Sequence, residues 1–384
     1  MEVKQIYELV NSATTQAIGQ SDLLQEDLSN LVDVGEAIMN ANSLDHYVKS
    51  LVDHIGKVVF VNREYKGVAP SVLRDGWEYG AIKEKIAARM PVATENESWE
   101  LEDGATYDPN MFYKPDVITK FFSKKTTWEI PMSFTEMQAK SGFSSAAQVN
   151  GFISMLFTIV ENSKNIKTSE LIMRCINNMT AETLKNGNAT RAVNLLALYN
   201  ARYPTAAITT VSDAVTDKEF IRFASYIMSL YKNRMSRMST LFNIGGEARF
   251  TPADRLHVIL LSEFAEAAGV YLQSETWHNS FTELPKAETV PYWQGTGTST
   301  DAFAFSKVSG INVVPSSGGA AITQTGILGV MFDSEALGVC NENQRVTTNY
   351  NPKAEFYTNW YKVDSSYFND TNENYVVFYV AASA

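Results

Sequence analysis

The most regular hydrophobic pattern in the chain is a pair of apolar stripes at helical spacing between residues 145 and 188. The first stripe follows the capping-box pair Ser145 and Gln148 and predicts a helix ending near Asn162; it consists of Val149, Phe152, Ile153, Leu156 and Val160. The second follows SKNIK and predicts a helix from about Thr168 to the KNGN stop at 185–188; it consists of Leu171, Ile172, Cys175, Ile176 and Met179. Cys175 is therefore expected to be a small core residue.

A mixed pattern of helices and strands follows from about residue 189 to residue 338. Thr216 and Glu219 predict the start of a helix whose apolar face carries Phe220, Phe223, Ala224, Ile227 and Leu230. RLHVILLS (255–262) has the pattern of a buried strand and runs directly into the helix EFAEAAGVYL. Short strands are predicted at INVV, AAIT and GILGVMF, so this stretch is an α/β or α+β domain with its own core.

The tail beyond Cys340 is rich in strand patterns. Three strands are predicted, at QRVTTNY, AEFYTNWYKVDSSYF and YVVFYVA, with turns at Asn351-Pro352 and NDTNEN (369–374). At the other end, the first 45 residues predict two short amphipathic helices, whose apolar positions are Ile6, Leu9, Val10 and Ala13, then Leu23, Leu24, Leu28, Leu31 and Val32. Neither is long enough to form a core, so we expect both to lie against another part of this subunit or against a neighbour.

A long excursion separates the N-terminal helices from the central ones. The apolar residues of SLVDHIGKVVFVNREYKG (50–67) begin at helical spacing and end in the β-branched run at 58–61. After that run, about 65 polar and aromatic residues extend from Asn62 to Thr127. Its four prolines exclude long helices and central strands from most of it. Its nine Trp, Tyr and Phe residues indicate a segment ordered by contact, and TTWEIPMSF (126–134) predicts the strand that ends it.

Composition limits the classes of partner. The 384 residues are 45% hydrophobic and 20% charged, with a net charge of −11 and a pI near 5.0. The hydrophobic and charged fractions exclude a disordered chain. The negative net charge and low pI argue against tight nucleic-acid binding. Basic residues gather once, at Lys232, Arg234 and Arg237, where a solvated helix face is favoured over a phosphate site. Two cysteines, no signal peptide and no membrane span indicate a reducing cytoplasm during folding.

Motifs that carry chemistry are not found. The chain has no Walker motif, dinucleotide glycine fingerprint or HExxH pair, and GTSTD (297–301) lacks the final glycine of a nucleophile elbow. The four histidines are scattered, and the acidic stretch from Glu95 to Asp103 lacks calcium-loop spacing. Glu263 and Glu266 share a helix face without an acid–base partner. We therefore predict no catalytic, cofactor-binding or metal-binding residue, no cofactor and no enzyme.

The order of these elements resembles the Hong Kong 97-type major capsid protein of tailed bacteriophages, and most closely that of small short-tailed phages of the phi-29 type. The stretches that carry the resemblance are YVKSLVDHIGKVVFVNREYKG (47–67), residues 121–163, KEFIRFASYIMSLY (218–231), LHVILLSEFAEAAGVYLQ (256–273) and the closing sheet from GILGVMF onwards. Together they cover most of the chain, although the motifs are patterns and not invariant signatures.

The resemblance implies an α+β fold in four parts. These are an N-terminal arm (1–45), an extended β-hairpin loop (62–133), an axial domain (189–338) and a peripheral domain with the spine helices and closing sheet (46–61, 134–188 and 339–384). It implies a head-shell subunit, icosahedral or elongated, that assembles with copies of itself in pentamers and hexamers and encloses double-stranded DNA. The extended loop would lie over a neighbouring subunit, which would order its aromatic side chains.

The resemblance also implies partners and a place of assembly. The phi-29 relative carries a C-terminal immunoglobulin-like domain, which is not expected here because the last predicted strand ends just before Ala384. No N-terminal scaffolding domain is recognised, so a separate scaffolding protein is expected. A portal is expected as a further partner. Packaged DNA would be contacted weakly and without sequence specificity, in a virion assembled in the host bacterial cytoplasm and without membrane contact. Some members of the fold cross-link a loop lysine to an asparagine of a neighbouring subunit. The candidates here are the lysines Lys66, Lys114, Lys124 and Lys125 and the asparagines Asn343, Asn349 and Asn351. No motif selects a pair among them, so we expect these side chains to be solvated and not cross-linked.

Two alternatives stay open at this point. One is an encapsulin-like compartment shell with the same fold, which encloses cargo enzymes. The other is a soluble enzyme whose site assembles only in three dimensions, with residues 62–127 folded as a lid over its own pocket.

Overall fold

The computed structural model describes Asn11 and residues 68–74, 83–135, 146–273, 287–294 and 309–382, with gaps at 92, 96–101, 106–107 and 109. The predicted N-terminal helices, the β-branched run at 58–61, the Ser145 cap and the GTSTD loop lie outside the described residues. The chain forms two compact units: residues 1–77, 125–172 and 339–366 make up the first, and residues 78–124, 173–338 and 367–384 the second. The four-part division stays a prediction.

The first unit is built on a four-stranded sheet in the order β1-β11-β12-β4. Its strands are β1 (Leu73–Arg74), β4 (Lys125–Thr135), β11 (Leu337–Asn351) and β12 (Phe356–Asn369). β12 pairs antiparallel with β4, and Val363 lies opposite Trp128. β4 is TTWEIPMSF extended by one residue at each end, as predicted. Its Pro131 is accommodated because β4 is the edge strand of the sheet.

The second unit is built on a five-stranded sheet in the order β5-β13-β10-β6-β7. Its strands are β5 (Ala192–Asn194), β6 (Leu256–Leu261), β7 (Glu288–Val290), β10 (Ile327–Asp333) and β13 (Tyr375–Tyr379). Every residue of β10 is buried, and antiparallel neighbours pair with both of its edges. Two small hairpins also belong to the described part of the unit: β2 (Lys83–Ala88) with β3 (Val117–Phe122), and β8 (Ile311–Val313) with β9 (Ile322–Gln324).

Four described helices lie wholly within the second unit: α2 (Leu195–Arg202), α3 (Val211–Thr216), α4 (Lys218–Met235) and α5 (Ser262–Gln273). Of these, α2 and α4 pack together through aromatic side chains. The ring of Tyr199 on α2 lies 5.7 Å from Phe220 and 5.6 Å from Phe223 on α4. At the other end of α4, the ring of Tyr231 lies 5.3 Å from Phe378 of β13, so aromatic contacts connect the helices to the central sheet.

The longest helix, α1 (Ala146–Lys185), corrects a prediction. Its two apolar stripes belong to one continuous helix, and the break expected at SKNIK is wrong. That stretch contains neither glycine nor proline, and an ion pair between Lys167 and Glu170 joins adjacent turns at its end. The predicted stop is confirmed: the helix ends at Lys185, and Gly187 adopts a positive φ of 60°.

The start of α4 corrects a second detail. Its cap is Asp217, whose carboxylate accepts a hydrogen bond from the Phe220 amide, and not the predicted Thr216, which ends α3. The strand at 255–262 and the helix that follows it are confirmed as β6 and α5. His257 on β6 is half-buried, with its ring 5.7 Å from that of Phe332. Glu263 and Glu266 are exposed on α5, as expected.

Gly326 provides a test of the close contact between the start of β10 and the chain after β13. Its φ is +68°, and a Cβ at this position would collide with the main-chain oxygen of Val380. We expect Gly326→Ala to lower the free energy of unfolding by about 2–4 kcal/mol, measured by urea denaturation. The matched control is Gly318→Ala, where φ is +80° but the space is open, so only about 1–2 kcal/mol of conformational strain is expected. Equal losses in the two variants would contradict the proposed clash.

Candidate subunit interface

The hairpin formed by β2 and β3 is the ordered centre of the predicted extended loop. The strands pair antiparallel from Lys83 opposite Phe122 to Ala88 opposite Val117. Alternate residues are half-buried and exposed along both strands, so the hairpin has one inner and one outer face. A two-stranded hairpin has no core of its own and depends on contacts at its faces.

The inner face packs on residues of the same unit. The ring of Phe122 lies 5.3 Å from the ring of Phe368, and the ammonium of Lys83 lies 3.9 Å from the centre of that second ring. Phe368 is itself buried at the end of β12. These contacts give the inner face an apolar and cation–π contribution.

The strongest polar contact of the inner face is an ion cluster around Asp370, which is 1% exposed. Lys85 Nζ lies 2.9 Å from Asp370 Oδ2, and Lys120 Nζ lies 2.9 Å from Asp370 Oδ1. Lys85 Nζ also lies 2.7 Å from Glu373 Oε1, which Arg249 Nε approaches to 3.3 Å. Lys85 and Lys120 are directly opposed across the two strands, so one carboxylate joins both strands to the body of the unit.

The position of Asp370 follows from the turn between β12 and β13. Asp370 Oδ1 also accepts a hydrogen bond from the Asn372 amide, and the Asp370 amide donates to the Ala336 carbonyl. The Thr371 carbonyl accepts from the amides of Ile244 and Gly245. The turn NDTNEN was predicted, but its acidic residues were not singled out. The carboxylates lie about 250 to 290 positions from the lysines, so no local pattern could have identified the cluster.

The pKa values of the cluster reflect burial and charge pairing acting against each other. Burial by itself would raise the pKa of Asp370, but the hydrogen bond from Lys120 and the charge of Lys85 outweigh it and hold that pKa below its ordinary value. Burial would likewise lower the pKa of Lys85, and its bonds to Glu373 and Asp370 raise it instead. Asp370 and Lys85 are therefore both charged at neutral pH.

A more exposed ion pair lies where the hairpin strands diverge. Arg89 Nη1 lies 2.7 Å from Asp116 Oδ2, and Arg89 Nη2 lies 2.9 Å from Glu247 Oε1. Hydrogen bonds to Glu247 and Asp116 raise the pKa of Arg89, and the same bond from Arg89 lowers the pKa of Glu247. Because Arg89 and Asp116 are open to solvent, we assign these ion pairs a minor role in holding the hairpin.

The outer face of the hairpin is exposed and mostly apolar, with Glu84 and Thr119 as its polar side chains. Ile86 is 64% exposed, Phe121 65% and Val117 53%, and the chain beyond the strands adds Phe112 at 85% and Tyr113 at 80%. An exposed apolar strand surface of this kind marks a contact site. Within the described residues, the arrangement combines a face anchored by charge to its own unit with a face that has no apolar cover.

Catalytic features are not assembled by the described residues. No group of three or more His, Cys, Asp or Glu residues among them is placed to hold a metal ion. A cavity of about 330 Å³ is lined by Leu184, Leu198, Ile322, Tyr379 and other apolar or amide residues, without a carboxylate, histidine or cysteine. Cys175 is buried, and burial raises the pKa of its thiol to about 12, so it is no nucleophile. Among the described helices, none is long and apolar enough to cross a membrane.

The residues considered for cross-linking have different surroundings. Lys124 donates to Ser316 Oγ, and Lys114, Asn343 and Asn349 are exposed. The ammonium of Lys125 lies 3.0 Å from Glu342, and this hydrogen bond raises the pKa of Lys125, so its amine stays protonated. Lys66 lies outside the described residues. No pair is selected by this geometry.

Solved structures with a similar fold are tailed-phage capsids. A chain of the capsid of Staphylococcus phage Andhra has a TM-score of 0.53 at 8% identity, covering 84% of this chain and 86% of its own. A chain from the structure of the head fibre and inner core protein gp22 of bacteriophage P68 has a TM-score of 0.53 at 10% identity. The match covers 84% of this chain and 87% of the P68 chain. Comparison with curated proteins gives no sequence match. The fold is therefore the α+β capsid fold of the Hong Kong 97 type.

Sequence comparison defines the family within that class. The family model of the Phi29-like phage major capsid protein matches residues 8–379. The chain belongs to this family, as the resemblance implied, and its function is to form the head shell of a tailed bacteriophage. The encapsulin alternative is not favoured.

The ion cluster can be tested by substitution. We expect Asp370→Ala to leave Lys85 and Lys120 without their shared counter-ion and to weaken hairpin docking by about 3 kcal/mol. Amide hydrogen exchange in β2 and β3, measured by mass spectrometry, would then rise by about 100-fold. Asp116→Ala is the matched control, because it removes an exposed carboxylate from the same hairpin. A similar rise in the control would contradict a special role for Asp370.

The cluster also predicts an acid limit. Because the pKa of Asp370 is held below its ordinary value of about 3.8, its contribution is present above that pH and lost as the pH falls through its lowered folded-state pKa. Lys85, whose pKa is raised, keeps its charge to above about 10.5. Hydrogen exchange in the hairpin, corrected for the intrinsic exchange rate, should therefore be constant from about pH 5 to 9 and rise below about pH 4. Asp370→Asn should remove most of this rise; an unchanged profile would contradict the assignment.

Proposed function

We propose that the hairpin of each subunit lies over a neighbouring copy of the chain and binds it through the outer face. The observation that carries the proposal is the division of the two faces. The inner face is fixed to its own unit by Asp370, while Ile86, Phe121 and Phe112 are left uncovered. Repetition of one such contact in pentamers and hexamers closes a shell from a single type of chain.

The lid alternative is disfavoured by the surroundings of the hairpin. A lid would bury its apolar residues over a pocket of its own chain, whereas Phe112 and Tyr113 are among the most exposed side chains described. The residues that line the 330 Å³ cavity include none from β2 or β3. A structural subunit without catalysis is the better interpretation.

Charge and family membership support a proposal for the contents of the shell. A net charge of −11 favours an inner wall that contacts double-stranded DNA weakly and without sequence specificity. Assembly in the host bacterial cytoplasm, with a separate scaffolding protein and a portal, completes the proposal. The division into arm, extended loop, peripheral domain and axial domain is part of the same proposal and rests on the family resemblance.

Electron microscopy of the heaviest sedimenting fraction tests the shell directly. The chain is expressed with and without its genomic neighbours, and closed shells or tubes of a few hundred ångströms are expected in at least one preparation. Nucleic acid inside shells purified from infected cells supports a phage head, and enzyme cargo would favour a compartment. Monomers in every preparation would contradict the proposal.

Substitution of the outer face tests the contact that closes the shell. We expect Ile86→Glu with Phe121→Glu to abolish shells, because each charge would be buried against a neighbour without a partner. The readout is the sedimenting fraction, with the thermal unfolding temperature of the free chain as a check on folding. The matched control is Ile86→Val with Phe121→Tyr, which keeps the apolar surface and should assemble. Shell formation by the glutamate variant would show that this face is not an interface.

A further inference from the structure

A second exposed surface combines basic and apolar side chains at the end of helix α4. We define it by Arg191, Arg234, Arg237, Met238, Leu241 and Phe250 and call it the basic–apolar patch. Leu241 is 54% exposed, Phe250 50% and Met238 45%. It lies within the second unit and shares no residue with the hairpin.

The local fold brings these residues together. Ser239 and Arg249 form an antiparallel bridge, which places Met238 directly across from Phe250. The ring of Tyr231 lies 5.9 Å from that of Phe242 and holds the segment after α4 against its last turns. The guanidinium of Arg234 lies 5.9 Å from the centre of the Tyr231 ring, and Arg191 Nη1 donates to the Leu241 carbonyl at 3.3 Å. The patch is therefore a defined surface.

Its positive charge is unneutralised within the part of the chain that the structure describes. Arg191, Arg234 and Arg237 form no ion pair with any described carboxylate, in contrast to Arg89, Arg249 and Arg345. A group of unpaired guanidiniums is unexpected in a chain with a net charge of −11. It indicates an acidic partner, and the apolar residues between the arginines indicate that the partner also has an apolar face.

The sequence of this chain contains a segment with that chemistry. Residues 22–36, DLLQEDLSNLVDVGE, carry five acidic residues, and no lysine or arginine occurs between Lys4 and Lys49. The leucines of this segment predict an amphipathic helix, although the segment lies outside the described residues. We propose that the basic–apolar patch binds the acidic amphipathic segment 22–36 of a second copy of the chain.

Physical considerations favour this partner over packaged DNA. Phosphate recognition requires cations and hydrogen-bond donors, and it gives no role to Met238, Leu241 and Phe250. An amphipathic helix uses both parts of the patch. Copies that each carry a charge of −11 repel one another, and pairing cations of one copy with carboxylates of the next offsets that repulsion. The inference rests on the proposed function, because it needs neighbouring copies.

Photo-cross-linking of the full chain tests the contact. Met238 is replaced by p-benzoylphenylalanine, and equal amounts of ¹⁴N- and ¹⁵N-labelled chains are co-assembled, irradiated and analysed by mass spectrometry. Mixed-isotope cross-links to residues 22–36 are expected. The same probe at Tyr226, which is 58% exposed on α4, serves as the control position and should not cross-link to this segment. Cross-links to DNA, to another protein or only within one copy would overturn the proposal.

A charge exchange provides an independent test. Arg234→Glu with Arg237→Glu should lower the cross-link yield by roughly five- to tenfold, the size expected for exposed charge contacts that become repulsive. Adding Glu26→Lys and Asp27→Lys should restore it, whereas Glu2→Lys with Glu8→Lys, the same change of charge elsewhere, should not. Restoration by both pairs would indicate net charge alone and overturn the proposal.

This test fails separately from that of the proposed function. Shells that form without cross-links to residues 22–36 contradict only the patch assignment. Cross-links between copies in small oligomers that never close into shells support the patch and contradict the shell.

Discussion

The two strands of the β2–β3 hairpin cannot form a core by themselves, and the arrangement of this subunit depends on that constraint. A hairpin with alternating side chains presents two faces, and each needs cover. In this chain the cover of the inner face comes from Phe368, Asp370 and Glu373 of its own unit. The outer face is left exposed and mostly apolar, which is costly for an isolated chain but suits a subunit that functions among copies of itself.

The anchor of the inner face depends on the central sheet. Asp370 lies in the turn between β12 and β13, and β13 pairs with the fully buried β10. Fixing that turn fixes the carboxylate, so its position need not be organised when the hairpin docks. A buried carboxylate without a counter-ion would be strongly unfavourable, and two opposed lysines compensate it. The orientation of the hairpin is therefore coupled to the best-packed part of the unit.

Sequence patterns predicted the elements better than their ends. The strand-to-helix step at residues 255–273 was correct because a short continuous apolar run and an amphipathic stretch at helical spacing are different patterns. The break at SKNIK was wrong because polar residues permit a helix as readily as they permit a loop. The cap of α4 was misplaced by one position, since Thr216 and Asp217 are both good caps and the turn ending α3 decides between them.

The sequence by itself determined the class of this protein. Local periodicity predicted the order of helices and strands and the long aromatic excursion, and the resemblance of that order to a known capsid family implied the fold. Only the tertiary structure decided which residues hold the hairpin to its own unit. Lys85, Lys120 and Asp370 form one cluster although 250 or more positions separate the carboxylate from the lysines. The same holds for Met238 and Phe250, whose adjacency depends on a bridge. Contacts of this kind leave no local signal, because the pairing is made by the sheet and not by the spacing of residues along the chain.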